Sequence, residues 1–395
     1  MRRHPSPAAS AGPVAPCLIV AASLPLALAV AGCGGKGAGE GGDLTVAGRT
    51  RAVQETVASA PECTSLTPFY WEMGDASGRL ASGAGGEEGA AVDPSVAMPI
   101  ASASKLIFGA YALERQSLAE IAAAGDIPYL NFTSGYHGLS DLLCDLAATV
   151  GGCLQAGANG ALTPGDVGRF YYNGAHLQAY AVAVSRLGDD CSDTYPCTPK
   201  LSDEVQAWIG DIGLGYGTPG LAGGARISPS GYALFLRHIL AGDLAIRDHL
   251  GEAAVCAWTH HDDCGALYSP VNESSPAATG NDVSDLRWHY SLAHWVEDDG
   301  AFSSAGAFGF YPFLDASRTY YGILARHDTR VGAMPPPYYA SVACGRLIRA
   351  AWLSGAAQQG ARSEPSRVKT TGARPPNPLP ARPTVERAPV EPSGA

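Results

Sequence analysis

Strand-forming stretches at the two ends of this chain, with helix-forming runs between them, constrain its fold more than any other feature. Phe69-Tyr70-Trp71-Glu72-Met73-Gly74 and Leu80-Ala81-Ser82-Gly83 flank Asp75-Ala76-Ser77-Gly78, the pattern of strand, turn and strand. A second set comes late, at Tyr290–Val296, Ala307–Phe313 and Thr319–Ala325, punctuated by Asp298-Asp299-Gly300 and Asp315-Ala316-Ser317. Helical runs are predicted over Lys105–Glu114, Leu139–Ala148, Thr163–Leu187, Asp203–Trp208, Ser230–Leu240 and Ala340–Leu353. Strands at both ends with helices inserted imply an α+β fold: an antiparallel sheet closed by N- and C-terminal segments, flanked by helices, with a helical lobe. A cleft follows between sheet and lobe. With 46% apolar residues in 395, one globular domain over residues 55–356 can bury a sizeable core.

Outside that domain the composition changes. Arg2 and Arg3, the apolar run Leu18–Val30 and Val30-Ala31-Gly32-Cys33 have the order of a secretory signal over residues 1–33, with an apolar run short for a membrane span. Cys33 resembles the cysteine of a bacterial lipobox, which implies cleavage before it and a lipid anchor on the periplasmic or extracellular face of a cell envelope. Six glycines between Gly34 and Gly42 predict a flexible tether over residues 34–54. The proline-rich end, residues 357–395, has almost no large apolar side chains and is expected to be disordered.

Eight cysteines remain beyond the leader, an even number that suits disulfides in an exported chain. Cys144–Cys153, Cys191–Cys197 and Cys256–Cys264 would each close a short loop, leaving Cys63 to meet Cys344 across the ends of the domain. A metal site using His260, His261, Asp262 and Asp263 is the rival, but no C-x-x-C pair supports it. The net charge of −11 and the lack of a basic stripe argue against nucleic acid as a partner.

Chemistry enters at Ser102-Ala103-Ser104-Lys105, an S-x-x-K at the start of an apolar helical run. Spacing of i, i+3 puts hydroxyl and amine on one helix face. A desolvated lysine can take the serine proton, and a helix N-terminus offers N–H groups to an oxyanion. Further on, Tyr171-Tyr172-Asn173 precedes an apolar helix, and Leu221–Phe235 makes a glycine-rich turn into another.

With these elements in this order, the chain resembles the serine penicillin-recognising group: class C β-lactamases, D-alanyl-D-alanine carboxypeptidases and related esterases. The resemblance spans Phe69 to Leu353 and implies their transpeptidase-like fold and acyl-enzyme chemistry. It implies Ser102 as nucleophile, Lys105 as base, Tyr171 as phenolate or proton relay, and Asn173 orienting Lys105 and substrate. Where the family has Lys- or His-x-Gly, Ser303–Pro312 offers Ser304 and Gly306, with the N–H groups of Ser102 and Ala307 as oxyanion donors. Ser304 in place of a cation fits an ester or uncharged amide better than a β-lactam or peptidoglycan peptide. The expectation is therefore an exported serine hydrolase of small esters or amides, needing neither metal nor other cofactor. A β-lactamase or D,D-carboxypeptidase is one alternative, and an inactive envelope binding protein of the same fold is the other. His176, near Asn173, is expected to be packed rather than basic.

Overall fold

The computed structural model describes residues 42–259, 264–273, 286–330, 332–333 and 335–360. The chain opens with α1 (Val46–Ser59) and α2 (Pro61–Thr64), then β1 (Phe69–Asp75) and β2 (Gly78–Gly85). Next come β3 (Met98–Pro99), a 3₁₀ turn at Ala101–Ala103, α3 (Ser104–Arg115), α4 (Leu118–Ala124), α5 (Ile127–Leu130), α6 (Asp141–Asp145), α7 (Val150–Gln155), α8 (Ala175–Ala183) and α9 (Leu201–Ile209). Then follow β4 (Gly215–Tyr216), β5 (Ala225–Ile227), α10 (Pro229–Ala241), α11 (Ile246–His249), β6 (Val255–Cys256) and α12 (Pro270–Glu273). The chain ends with β7 (His289–Ser291), β8 (His294–Val296), β9 (Phe302–Ser303), β10 (Tyr311–Leu314), β11 (Tyr320–Ala325) and α13 (Pro337–Ser354).

Among the described residues, eight strands form one sheet in the order β2-β1-β11-β10-β9-β8-β7-β6. Every pairing in it is antiparallel. The N-terminal hairpin joins the C-terminal strands through β1 and β11, with Tyr70 opposite Ala325 and Asp75 opposite Tyr320. The α+β architecture with a sheet closed by both ends is therefore the one observed. Side-chain alternation along β11 separates two layers. Tyr320 meets Trp352 of α13 edge-on at 5.9 Å, while the Tyr321 hydroxyl donates to Glu72 at 2.6 Å and accepts from Arg237 of α10. Helices α1 and α13 thus cover one face, α10 and α3 the other.

Local signals explain where elements begin and end. Ser228 caps α10 by accepting the Gly231 N–H at 3.0 Å, Pro229 supplies the first helical residue, and Gly242 closes the helix at φ 83°. Three sequence expectations are corrected. Residues 46–54, expected in the tether, belong to α1: Thr45 caps it, and Ala52, Val53, Thr56 and Val57 bury one face. The helix expected over Thr163–Leu187 forms only at Ala175–Ala183, because Pro164, Gly165 and Gly168 break the turns before it. The strands expected over Tyr290–Val296 and Ala307–Phe313 are interrupted, the first by a turn at Leu292-Ala293 and the second by one before Tyr311. The four disulfides found among the described residues are the four expected, with Cys63–Cys344 joining α2 to α13. Residue 358, assigned to the tail, donates its N–H to Thr56 at 2.8 Å. The leader, Cys33, most of the tail and the loop His260–Asp263 lie outside the described residues.

A buried ion cluster ties α13 to the sheet behind the cleft. Arg349 bonds Glu297 at 2.6 Å, Asp299 at 2.7 Å and the Tyr311 hydroxyl at 2.9 Å, while Tyr311 donates to Glu297 at 2.6 Å. Arg349 and Glu297 are 2% and 3% exposed, so each neutralises a charge that water cannot reach. Replacing Arg349 by Leu is expected to cost about 3–5 kcal/mol, since it strands a buried carboxylate. Urea denaturation reads this loss, and Arg349→Lys, which keeps the charge but loses the fork, is expected to fall between the two.

Candidate active site

Ser102 sits at the turn into α3, and the turn is held from three sides. The Ser304 hydroxyl donates to the Ser102 carbonyl at 3.0 Å, and Tyr232 of α10 donates to the Ala103 carbonyl at 2.9 Å. Ile100 N–H bonds the Ala225 carbonyl of β5 at 3.2 Å. Such bracing sustains an unfavourable backbone, for Ala101 lies at φ 44° directly before Ser102.

One helical step on, Lys105 Nζ donates to Ser102 Oγ at 2.8 Å and to the Ala222 carbonyl at 2.8 Å. Its ammonium also lies 4.8 Å from the centre of the Tyr172 ring. Only 4% of Lys105 is exposed, and this burial brings its pKa down to about 7, with the Asp141 carboxylate pulling the other way. The group is thus partly neutral at physiological pH and able to accept the serine proton.

The tyrosine expected here was Tyr171, but the structure brings Tyr172. Tyr171 stacks on His137 at 4.3 Å and tilts against Tyr268 at 5.2 Å, away from Lys105. The backbone before α8 is extended, so adjacent side chains point apart and a one-residue difference exchanges their surroundings. Tyr172 stacks on Trp295 at 5.0 Å and presents its ring to the Lys105 amine at 4.8 Å. Burial pushes its pKa up to about 12, the nearby Ser102 hydroxyl and Trp295 indole opposing the rise and Tyr268 and Asp141 adding to it. It is therefore a phenol at neutral pH rather than a phenolate.

Asn173 lines the same cavity but does not hold Lys105. Its Oδ1 accepts from Ala175 N–H at 2.9 Å and Leu139 N–H at 3.2 Å, which pins the segment before α8 to the cavity wall. The Ala222 carbonyl occupies the role expected of it. Gly306 packs against the Ile100 carbonyl so closely that a Cβ would come within 2.1 Å of that oxygen. Ala307 lines the cavity beside it. His176 is packed as expected: it donates from Nε2 to the Tyr171 carbonyl at 2.9 Å and accepts from Ser134 at 2.7 Å. Burial lowers its pKa to about 3.

Around Ser102 and Lys105 opens a cavity of about 880 Å³. Trp288, Trp295, Phe308, Leu286, Val271 and Val342 give it apolar walls. Asp141, Asp145 and Arg226 supply charge besides Lys105. Sequence reasoning missed Tyr172, Trp295 and the Ala222 carbonyl. The last leaves no side-chain signal, while the first two needed the strand and loop registers. Among the described residues no group of His, Cys, Asp and Glu is arranged to hold a metal ion.

No family model matches this chain, and no curated protein does. Solved structures similar to it include a β-lactamase from Mycobacterium bovis, at 13% identity over 71% of this chain and 95% of that one, with a TM-score of 0.44. A D-stereospecific amidohydrolase from Streptomyces sp. is 12% identical over 71% and 93% of the two chains, with a TM-score of 0.44. EstCE1, described as a hydrolase with promiscuous acyltransferase activity, is 12% identical over 78% and 99%, with a TM-score of 0.48.

The two tyrosines make opposite expectations. Tyr172→Phe is expected to slow covalent labelling of Ser102 by an active-serine probe by about tenfold or more, in the range of a lost acid–base group. Tyr171→Phe, which alters a side chain stacked outside the Ser102–Lys105 pair, is expected to label within about twofold of the unmodified chain.

Proposed function

We propose that this chain is an exported serine hydrolase that acts through a Ser102 acyl-enzyme on a small ester or uncharged amide. The observation that carries the reading is the 2.8 Å contact of Ser102 with a lysine that burial keeps near neutrality, at the base of a cavity of about 880 Å³.

In this reaction Lys105 takes the Ser102 proton as Oγ attacks the substrate carbonyl. The N–H groups of Ser102 and Ala307 hold the oxyanion of the tetrahedral intermediate. As that intermediate collapses, Tyr172 gives its proton to the departing alcohol or amine and receives the one held by Lys105. Water then attacks the acyl carbonyl, Lys105 takes its proton, and that proton returns to Ser102 as the acid leaves. No group changes its net protonation over the cycle.

The apolar walls favour a substrate with an aromatic or branched hydrocarbon part. Ser304 places no charge beside the turn, its hydroxyl being engaged by the Ser102 carbonyl. A second reading, hydrolysis of a β-lactam or a peptidoglycan peptide, draws on Arg226, a cavity-lining cation suited to a substrate carboxylate. Four disulfides support folding in an oxidising compartment, and Cys33, on sequence alone, supports a lipid anchor to the membrane.

A fluorophosphonate is expected to label the folded protein at Ser102, with the adduct located by mass spectrometry and lost in Ser102→Ala. Because Lys105 works as the neutral amine, labelling is expected to rise with pH through about 7 and level off above it. Labelling by a fluorescent penicillin as well would move the reading to β-lactam or peptidoglycan chemistry. A folded protein that neither reagent labels would leave the binding-protein reading.

A further inference from the structure

The carbonyl that holds Lys105 belongs to a glycine-rich loop closed by its own backbone, with Gly217 N–H on the Gly224 carbonyl at 2.9 Å and Gly224 N–H on the Gly220 carbonyl at 2.6 Å. Residues 217–224 include Gly217, Gly220, Gly223 and Gly224, so the loop is entropically costly to fix in one conformation. One side chain of α8 anchors its middle. Gln178, 0% exposed, donates from Nε2 to the Pro219 carbonyl at 3.0 Å and to the Val150 carbonyl of α7 at 3.0 Å. Its Oε1 accepts the Leu221 N–H at 3.1 Å. Both amide protons and the amide oxygen are thus spent on backbone groups, two of them on residues of the loop.

Resting on the serine-hydrolase reading above, we propose that Gln178 is a positioning residue for the Ser102–Lys105 pair. It clamps Pro219 and Leu221, and through them holds the Ala222 carbonyl against the Lys105 amine. The residue touches neither Lys105 nor Ser102; it acts through a backbone oxygen one residue beyond its own bond. A side chain that merely filled space at this position would take from the Pro219 carbonyl and the Leu221 N–H the partners they have here.

The groups facing Lys105 define the expected signature. They are the Ser102 hydroxyl before α3, the Tyr172 ring before α8, the Ala222 carbonyl, and the Asp141 carboxylate of α6 acting through space. Freeing the loop removes an acceptor from the ammonium, which favours the neutral amine, but it also admits water, which favours the charge. Desolvation is the largest influence on Lys105, so hydration wins and the ammonium persists to higher pH.

The test uses the full chain and a fluorophosphonate probe. In Gln178→Met, which keeps length without hydrogen bonds, the inflection in the Ser102 labelling rate is expected to move up by about one pH unit. Labelling near pH 7 then falls about fivefold and recovers to within about threefold at high pH. Amide hydrogen exchange of the unmodified chain supplies a measure that needs no variant: the Leu221 amide is expected to exchange slowly, and faster in Gln178→Met. A folded Gln178→Met with an unmoved inflection overturns the proposal, as does rapid exchange of Leu221 in the unmodified chain. Absence of a Ser102 adduct in the folded unmodified chain overturns the hydrolase reading itself, a failure that Leu221 exchange reports separately from failure of the clamp.

Discussion

The cavity is organised around a lysine taken out of water without a carboxylate in contact. Moving an ammonium from water into a protein interior is costly, and Lys105 meets that cost by giving up part of its charge. Its remaining contacts are a hydroxyl, a carbonyl and an aromatic face, all of which tolerate a neutral amine. An ion pair at the same place would have fixed the charge and left no neutral amine. Keeping the amine dry requires α3, the segment before α8 and the loop before β5 to meet at one point, and much of the topology follows from that meeting.

The frame that brings them together is assembled from distant parts of the chain. β1 takes β11 as its second partner beside β2, and Cys63 is bonded to Cys344 across a separation of 281 residues. Such pairing is entropically expensive to form but gives a sheet whose closing strands sit well away from the cleft. The Arg349 cluster does the same work on the α13 side. With β9 fixed between β8 and β10, the residues that follow it, Ser304 to Ala307, are presented to the turn at Ser102.

How much of this was legible in the sequence differs from one residue to the next. The S-x-x-K spacing and the helix start fix a local geometry, so Ser102 and Lys105 could be read directly. The disulfides could be read because three of the loops are short and the fourth pair is what remains. Tyr172 could not be told from Tyr171, since the choice depends on how an extended segment is rotated, which no periodicity records over so few residues. Asn173 was assigned a role from its neighbours but finds nearer partners in the backbone of Leu139 and Ala175. The Ala222 carbonyl was beyond reach altogether: every residue has one, and only the fold selects it. The first residues of α1 were hidden by the glycine-rich segment just before them, although the Val53 and Val57 spacing was there to be found.

Gly306 and the Ile100 carbonyl leave no room between sheet and helix turn for even one methyl group. The spacing between the sheet and the turn before Ser102 is therefore set by two backbones in contact, whereas the walls of the cavity are largely side chains. These two parts respond differently to drift in the sequence. The walls can be repopulated residue by residue, altering which molecules the cavity admits, while the approach of residue 306 to the turn before Ser102 stays constant so long as position 306 remains glycine. On the proposed reading, selectivity and reactivity are thereby encoded in separable sets of positions, and a chain built this way could change its substrate without rebuilding the turn that carries Ser102.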